Sequence, residues 1–320
     1  MAVKHGNLAI IQVFPEVAYN TALTSYAPAG CVNLYDVCNI KPMNDAIEAQ
    51  VKTCLPYPSP IKTAAGREKS ELSLAGDFTD PIKMFFNSFL SDGTVTDTWK
   101  ASDIAYAQAP SFSFIRMLKT SGVSASSTVD VATGACLTAF KLDCSGPLVK
   151  YEATFALAAY TPDVATSTLT GYVGPACATT HLPYKTGEIT AISLYNGSIT
   201  SFNTLNLDVT VEYNNEESQF ANSLTRQNML LSKVTGSLSY ESIMNAVRAQ
   251  SAAINNPADF ATKGGFALTL NQTASDFAIT GNGVVSSLEE PDAENEYFQL
   301  SCSQSLAGTA TDQALQIIRT

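Results

Sequence analysis

Apolar residues in this chain fall into alternating runs separated by polar stretches, and that alternation predicts β-structure along most of its length. The clearest run covers residues 205–213, where Leu205, Leu207, Val209, Val211 and Tyr213 alternate with Asn206, Asp208, Thr210 and Glu212. A period of two places one set on a buried face and the other on a polar one. Residues 111–118 and 265–271 alternate in the same way. Residues 135–143 with 150–158, and 276–286 with 297–303, read as two hairpin-like pairs. The dipeptides Asp92-Gly93, Asn196-Gly197 and Asn282-Gly283 stand between apolar runs, as hairpin turns do.

Two segments show helical spacing instead. Asp80 and Pro81 read as an N-cap and a first-turn proline, and Ile82, Phe85, Phe86 and Phe89 follow at i, i+3, i+4 and i+7. Tyr240, Ile243, Met244 and Val247 repeat that spacing 158 residues later. The expectation is a pair of amphipathic helices that pack on sheets through Phe85, Phe86 and Phe89 in one case and Ile243, Met244 and Val247 in the other. A short strand precedes each helix (70–74, 233–238), and similar strands follow in the same order.

That order predicts an internal duplication. The expected fold is mainly β, with two tandem β-sandwich or half-barrel units of residues 1–162 and 163–320, each carrying one packed α-helix. Residues 27–63 lack sustained periodicity, are proline-rich and hold Cys31, Cys38 and Cys54. They read as a long loop insertion in the first unit, with one strand or helix around 43–51.

Composition narrows the function. Charged residues are 15% of the 320, against about 25% in ordinary domains. Serine and threonine number 64, which gives a hydroxyl-rich, low-charge surface. Net charge is −11 with no basic run, so the phosphate-neutralising footprint of a tight nucleic-acid binder is absent. The first 17 residues are too interrupted by polar residues and Pro15 for a secretory h-region, and no window has the apolar length of a membrane span. Seven cysteines without a Cys-x-x-Cys pair read as reduced thiols rather than a zinc or redox motif.

Catalytic motifs do not emerge. There is no Gly-x-Ser-x-Gly elbow, and Thr262-Lys263-Gly264-Gly265 lacks the Walker spacing. His181, one of two histidines, sits in a loop-like His-Leu-Pro-Tyr context and reads as structural or solvated. Glu216-Glu217 and the group Glu289, Glu290, Asp292, Glu294 and Glu296 lack calcium-loop order and read as solvated loops. The sequons at Asn196 and Asn271 read as chance matches. The expectation is a non-enzyme with no cofactor and no metal.

Residues 69–78 (Lys-Ser-Glu-Leu-Ser-Leu-Ala-Gly-Asp-Phe) with the 81–90 helix resemble the strand-plus-helix segment of the major tail tube proteins of long-tailed, siphovirus-like bacteriophages. Residues 201–238, with the long alternating strand, the acidic turn from Tyr213 and Val234-Thr-Gly-Ser-Leu, resemble the same segment in a second tube unit. Residues 27–63 and 162–184 lie outside the resemblance. It implies a virion tail protein, assembled in the host cytoplasm, whose subunits form stacked rings around a genome conduit.

Family rings have six tube units, so a two-unit chain implies a trimeric ring with pseudo-sixfold symmetry, the alternative being a hexameric ring. The implied partners are further copies of the chain, tail tip and terminator proteins, and double-stranded DNA passing without tight binding; no membrane is implied. Asp208, Thr210 and Glu212 are the candidate lumen-facing residues, and the loops 30–62 and 216–231, with Glu216 and Glu217, are candidate contacts between rings. The competing reading is another virion or cell-surface β-sandwich binding protein, an adhesin or carbohydrate-binding module, which the single Trp99 supports poorly.

Overall fold

The computed structural model describes residues 4–21, 32–34, 38–41, 70–92, 97–100, 110–120, 128–172, 182–194, 197–198, 202–214, 229–243, 265–272, 276–289, 299–307 and 314–320, and over these the chain is mainly β. The first half contributes β1 (Lys4–Pro15), β2 (Val32–Leu34), β3 (Cys38–Lys41), β4 (Ser70–Asp77), β5 (Ser91–Asp92), β6 (Thr98–Lys100), β7 (Phe112–Thr120), β8 (Thr128–Asp143), β9 (Lys150–Leu157) and β10 (Ala159–Ala165). The second contributes β11 (Ile189–Leu194), β12 (Gly197–Ser198), β13 (Thr204–Asn214), β14 (Leu230–Ile243), β15 (Gly265–Leu270), β16 (Phe277–Glu289), β17 (Gln299–Leu306) and β18 (Leu315–Arg319).

All pairings are antiparallel and fall into three connected sheets. The first runs β2-β1-β7-β8-β10. The central sheet runs β3-β4-β9-β8-β13-β14-β17-β16. The third runs β12-β11-β15-β16-β18-β6-β5. Two long strands tie them together: β8 leaves the first sheet and enters the central one, and β16 leaves the third sheet and enters the central one at its far end.

The pairings of the two halves correspond. In the first half they are β1–β2, β1–β7, β7–β8, β8–β10, β8–β9, β9–β4 and β4–β3. In the second they are β11–β12, β11–β15, β15–β16, β16–β18, β16–β17, β17–β14 and β14–β13. Even a bulge recurs, between Leu137 and Ala139 in β8 and between Val285 and Ser287 in β16. Among the described strands, β5 and β6 have no counterpart; β6 extends the third sheet beside β18.

Each crossing needs glycine, for different reasons. Gly134 in β8 has φ +60, in the left-handed region that side chains disfavour. An added Cβ there would lie 2.5 Å from the Cβ of Ala158. In β16, a Cβ on Gly281 would run into the Ala314 carbonyl oxygen, and one on Gly283 would come within 2.9 Å of the Ser305 oxygen. Asn282-Gly283 is therefore not a turn, as the dipeptide suggested, but the strand interior where β16 changes sheets. Leu194 pairs antiparallel with Gly197, while Asn196 lies outside the described residues.

The first predicted helix exists, in tighter form. Asp80–Ser88 is a 3-10 helix whose N-cap is Thr79 rather than Asp80. At three residues per turn, Ile82, Phe85 and Ser88 form one row and Phe86 and Phe89 the next; all five are buried. Phe86 meets Phe140 of the central sheet with ring centroids 5.7 Å apart, and Phe277 and Trp99 of the third sheet at 6.0 and 5.4 Å. Phe85 meets Phe112 of the first sheet and Phe155 of the central one. The helix thus plugs the junction of three sheets. Asp80 binds Arg319 of the last strand instead of capping, and Arg319 also reaches Asp97 at 3.2 Å.

The second predicted helix is overturned where it is described. Tyr240 and Ile243 lie in β14, opposite Cys302 and Gln299 of β17. Leu238 and Tyr240 are buried two residues apart, so pairing on both sides with β13 and β17 outweighs a local helical spacing. Met244 and Val247 lie outside the described residues, as do Glu216, Glu217, His181 and the predicted element at 43–51. The stretch 27–63 is not without strands, since it supplies β2 and β3; the 216–231 loop ends earlier than expected, because Leu230 and Leu231 belong to β14.

Candidate functional site: the polar face of the central sheet

Cross-strand partners share a face of a sheet, so the registers of the central sheet define its two surfaces. One surface is apolar: Leu72, Phe155, Phe140, Leu142, Leu207, Val209, Leu238 and Tyr240 are all buried on it. The other is polar from β4 to β17. Asp208 stands opposite Lys141 on one side and Ser237 on the other, Lys141 opposite Glu152, and Ser237 opposite Ser305. The next row joins Asp77, Lys150, Asp143, Asn206, Ser239, Ser303 and Ser287. A third joins Ser73, Thr154, Ala139, Thr210 and Thr235.

The sequence-predicted trio behaves as its alternation requires. Thr210 and Glu212 are exposed and Asp208 half-buried, while Leu205, Leu207, Val209 and Val211 are buried. Asp208, Thr210 and Glu212 are members of a wider surface. On the described strands from β4 to β17 it carries seven carboxylates (Glu71, Asp77, Asp143, Glu152, Asp208, Glu212, Glu241) against three lysines (Lys141, Lys150, Lys233), interleaved with hydroxyls. The members on β8 and β9 were readable from the alternation of those strands; their meeting with β13 was not.

Local electrostatics follow from this crowding. Burial pushes the Asp208 carboxyl above its usual range; Lys141 pulls it down, and Glu152 and Asp143 push it up again. Asp143 moves the other way. Its burial alone would raise it, but the hydroxyl and backbone amide of Ser145 donate to it at 2.5 and 2.8 Å, and Lys141 and Lys150 are near, so the balance is a lowered pKa. The next residue, Cys144, turns to the core, and burial pushes its thiol up to about 12, which makes it inert as a nucleophile. Cys136 is likewise buried.

Chemically, the described part of this surface is hydroxyl-rich and acidic. Among the described residues no group of three or more histidine, cysteine, aspartate or glutamate side chains is placed to hold a metal ion. The helix-packing residues Phe85, Phe86 and Phe89 belong to the opposite, core side of the sheet.

The join between halves falls in the middle of this surface. There β8 pairs with β13 over five residue pairs, from Asn206 opposite Asp143 to Thr210 opposite Ala139. The Cys144 amide donates to the Leu205 carbonyl at 2.9 Å, and the Tyr213 hydroxyl donates to the Leu137 carbonyl at 2.5 Å. Among the described residues, the outer strands of the sheet pair on one side only: β3 with β4, and residues 283–289 of β16 with β17. The sequence matches no protein-family model, and no curated protein matches it significantly.

Proposed function

We propose that this chain is a structural subunit of a virion tail, the major tail tube protein of a long-tailed bacteriophage, which joins into rings that stack into a hollow conduit for the genome. In this reading residues 1–162 and 163–320 are two copies of one tube unit, three chains make a ring with pseudo-sixfold symmetry, and the polar face of the central sheet lines the lumen. Tail tip and terminator proteins would bound the tube, and assembly would take place in the host cytoplasm before the tail joins the virion.

The observation that carries the reading is the head-to-tail run of four strands from each half in one sheet with one continuous polar face. A sheet that ends in unpaired strands on both sides either aggregates or closes on neighbours, and a ring removes the edges altogether. Its acidic, hydroxyl-rich face suits a channel through which DNA slides, because carboxylates repel phosphates and offer few counter-charges to hold them.

Electron microscopy of the concentrated recombinant protein tests this. Hollow tubes whose rings show threefold symmetry with sixfold modulation are expected. Rings of six chains would mean that one half is an elaboration rather than a tube unit, and monomers alone, even with a tail-initiating complex present, would overturn the reading.

A further inference from the structure

We infer that the two open edges of the central sheet are partners for each other: β3 of one copy pairs antiparallel with the C-terminal half of β16 of the next, in the register that β13 and β8 use within the chain. The inference rests on the ring-forming reading above and names the contact that would build the ring.

The two edge strands are equivalent to two strands that already pair within the chain. Strand β3 stands to β4 as β13 stands to β14, and β16 stands to β17 as β8 stands to β9. The contact between β13 and β8 is therefore what an edge of the β3 type and an edge of the β16 type do when they meet. The bulges align the two schemes residue by residue. Leu137 opposite Phe155 answers Val285 opposite Gln304, so Lys141 answers Glu289. Following the ladders outward, Leu72 answers Leu238, and Lys41 answers Asp208.

Within the chain, Asp208 faces Lys141. Between chains the same register sets Lys41 opposite Glu289. Both pairs are of opposite charge, with the signs exchanged. A register slipped by one residue would lose the pair, so the charge match selects the alignment.

A second observation points the same way. Cys136, one residue before the bulge pair, is 0% exposed, in a cluster with Tyr19, Ala156 and Ala158 of its own half and Met229 and Tyr213 of the second. Its counterpart Val284, opposite Ser305 as Cys136 is opposite Ala156, is 43% exposed. The same position is covered where the neighbouring unit is present and bare where it is not. A second copy of this chain is the occupant that supplies the missing cover.

The test mixes full-length Lys41→Cys chains with full-length Glu289→Cys chains under mild oxidation and reads crosslinked pairs on a non-reducing gel. A heterodimeric band that neither variant gives alone is expected, with the disulfide mapped to positions 41 and 289. Absence of that band overturns the edge pairing. The band without rings in the microscope would keep the pairing and overturn the ring reading; rings without the band would do the reverse.

Charge reversal gives an independent check on variants whose circular dichroism matches the parent. Lys41→Glu and Glu289→Lys are each expected to weaken self-association about tenfold per interface, and the double variant to restore it. Unchanged association in both single variants would overturn the proposed register.

Discussion

Strands β8 and β16 make the same journey between sheets by different local means. At its crossing β8 uses a left-handed glycine, and Glu16 fixes the site: its carboxylate accepts from Ser111, Ser113, and the amides of Gly134 and Asn20 at 2.6 to 2.9 Å. Asn20, itself at φ 52, accepts a bond from Thr133 beside that glycine. At its crossing β16 is shaped by its glycines, which make room for the Ala314 and Ser305 backbones. One topology is thus reached once by a polar clamp and once by close packing, which shows that the pairing scheme does not depend on a single local device.

The surroundings of the two strands differ as well. Among the described residues of the central sheet, β8 is paired on both sides, whereas β16 is paired on one. Next to β16, Gln304 is 0% exposed on the core side, and neither its amide nitrogen nor its oxygen has a partner among the described residues. The equivalent position beside β8 is Phe155, which packs against Phe85, Phe112 and Phe114. The crossing in the first half is the better satisfied of the two.

Substitutions can break this contrast, the largest effect first. Glu16→Ala leaves four donors without their acceptor and should cost about 3 to 5 kcal/mol in chemical denaturation, with Glu16→Gln costing less because it keeps one carbonyl oxygen. Gly134→Ala combines a left-handed backbone with the Ala158 overlap and should cost about 2 to 4 kcal/mol. Gly281→Ala meets only the steric barrier and should cost about 1 to 3 kcal/mol. If Gly281→Ala proved the more damaging, close packing rather than the polar clamp would be the stricter device. Gln304→Met should be neutral or stabilise by about 1 kcal/mol, since it removes an unsatisfied amide from an apolar site; a loss of stability would reveal a partner for that amide.

The smallest effect concerns pH. The folded-state pKa of Asp208 lies above 3.8, so between that value and its raised one the folded chain holds the proton more often than the unfolded chain. Stability contributed by this group is therefore present at low pH and lost as pH rises through the raised value. Asp208→Asn should be more stable than the parent at neutral pH, with the difference vanishing below about pH 3.8, the ordinary aspartate value. A difference that is constant with pH would place the effect in packing rather than titration. In the tubes proposed above, converting Asp208 and Glu212 together to lysine should slow DNA ejection while sparing ring formation, and normal ejection would argue that this face does not meet DNA.

Legibility in the sequence varied from element to element for physical reasons. β13 could be read at once because its one buried face imposes strict alternation over 11 residues. The 3-10 helix was found, though not its tighter winding, since rows at i+3 and i+4 fit both geometries over nine residues. β14 misled: Tyr240 and Ile243 fit a helical spacing with Met244 and Val247, yet partners on either side make the chain a strand as far as Ile243. β3, four residues in a proline-rich stretch, carries no periodic signal at all. Of the candidate surface, Asp208, Thr210 and Glu212 were readable, while Lys141, Glu152 and Asp143 as their neighbours were not.

By itself the sequence determined which residues of β13 and of the 80–88 helix face inward, because burial there is written in local period and composition. It also determined the β-rich class and the acidic, hydroxyl-rich character of the surface. Only the tertiary structure decided that two long strands would each serve two sheets, that the halves would share a continuous polar face, and which strands would be left with open edges. Strand pairing is a choice among distant partners whose backbone hydrogen bonds are chemically alike, so no short stretch of sequence encodes it; the choice is made by the packing of the whole core.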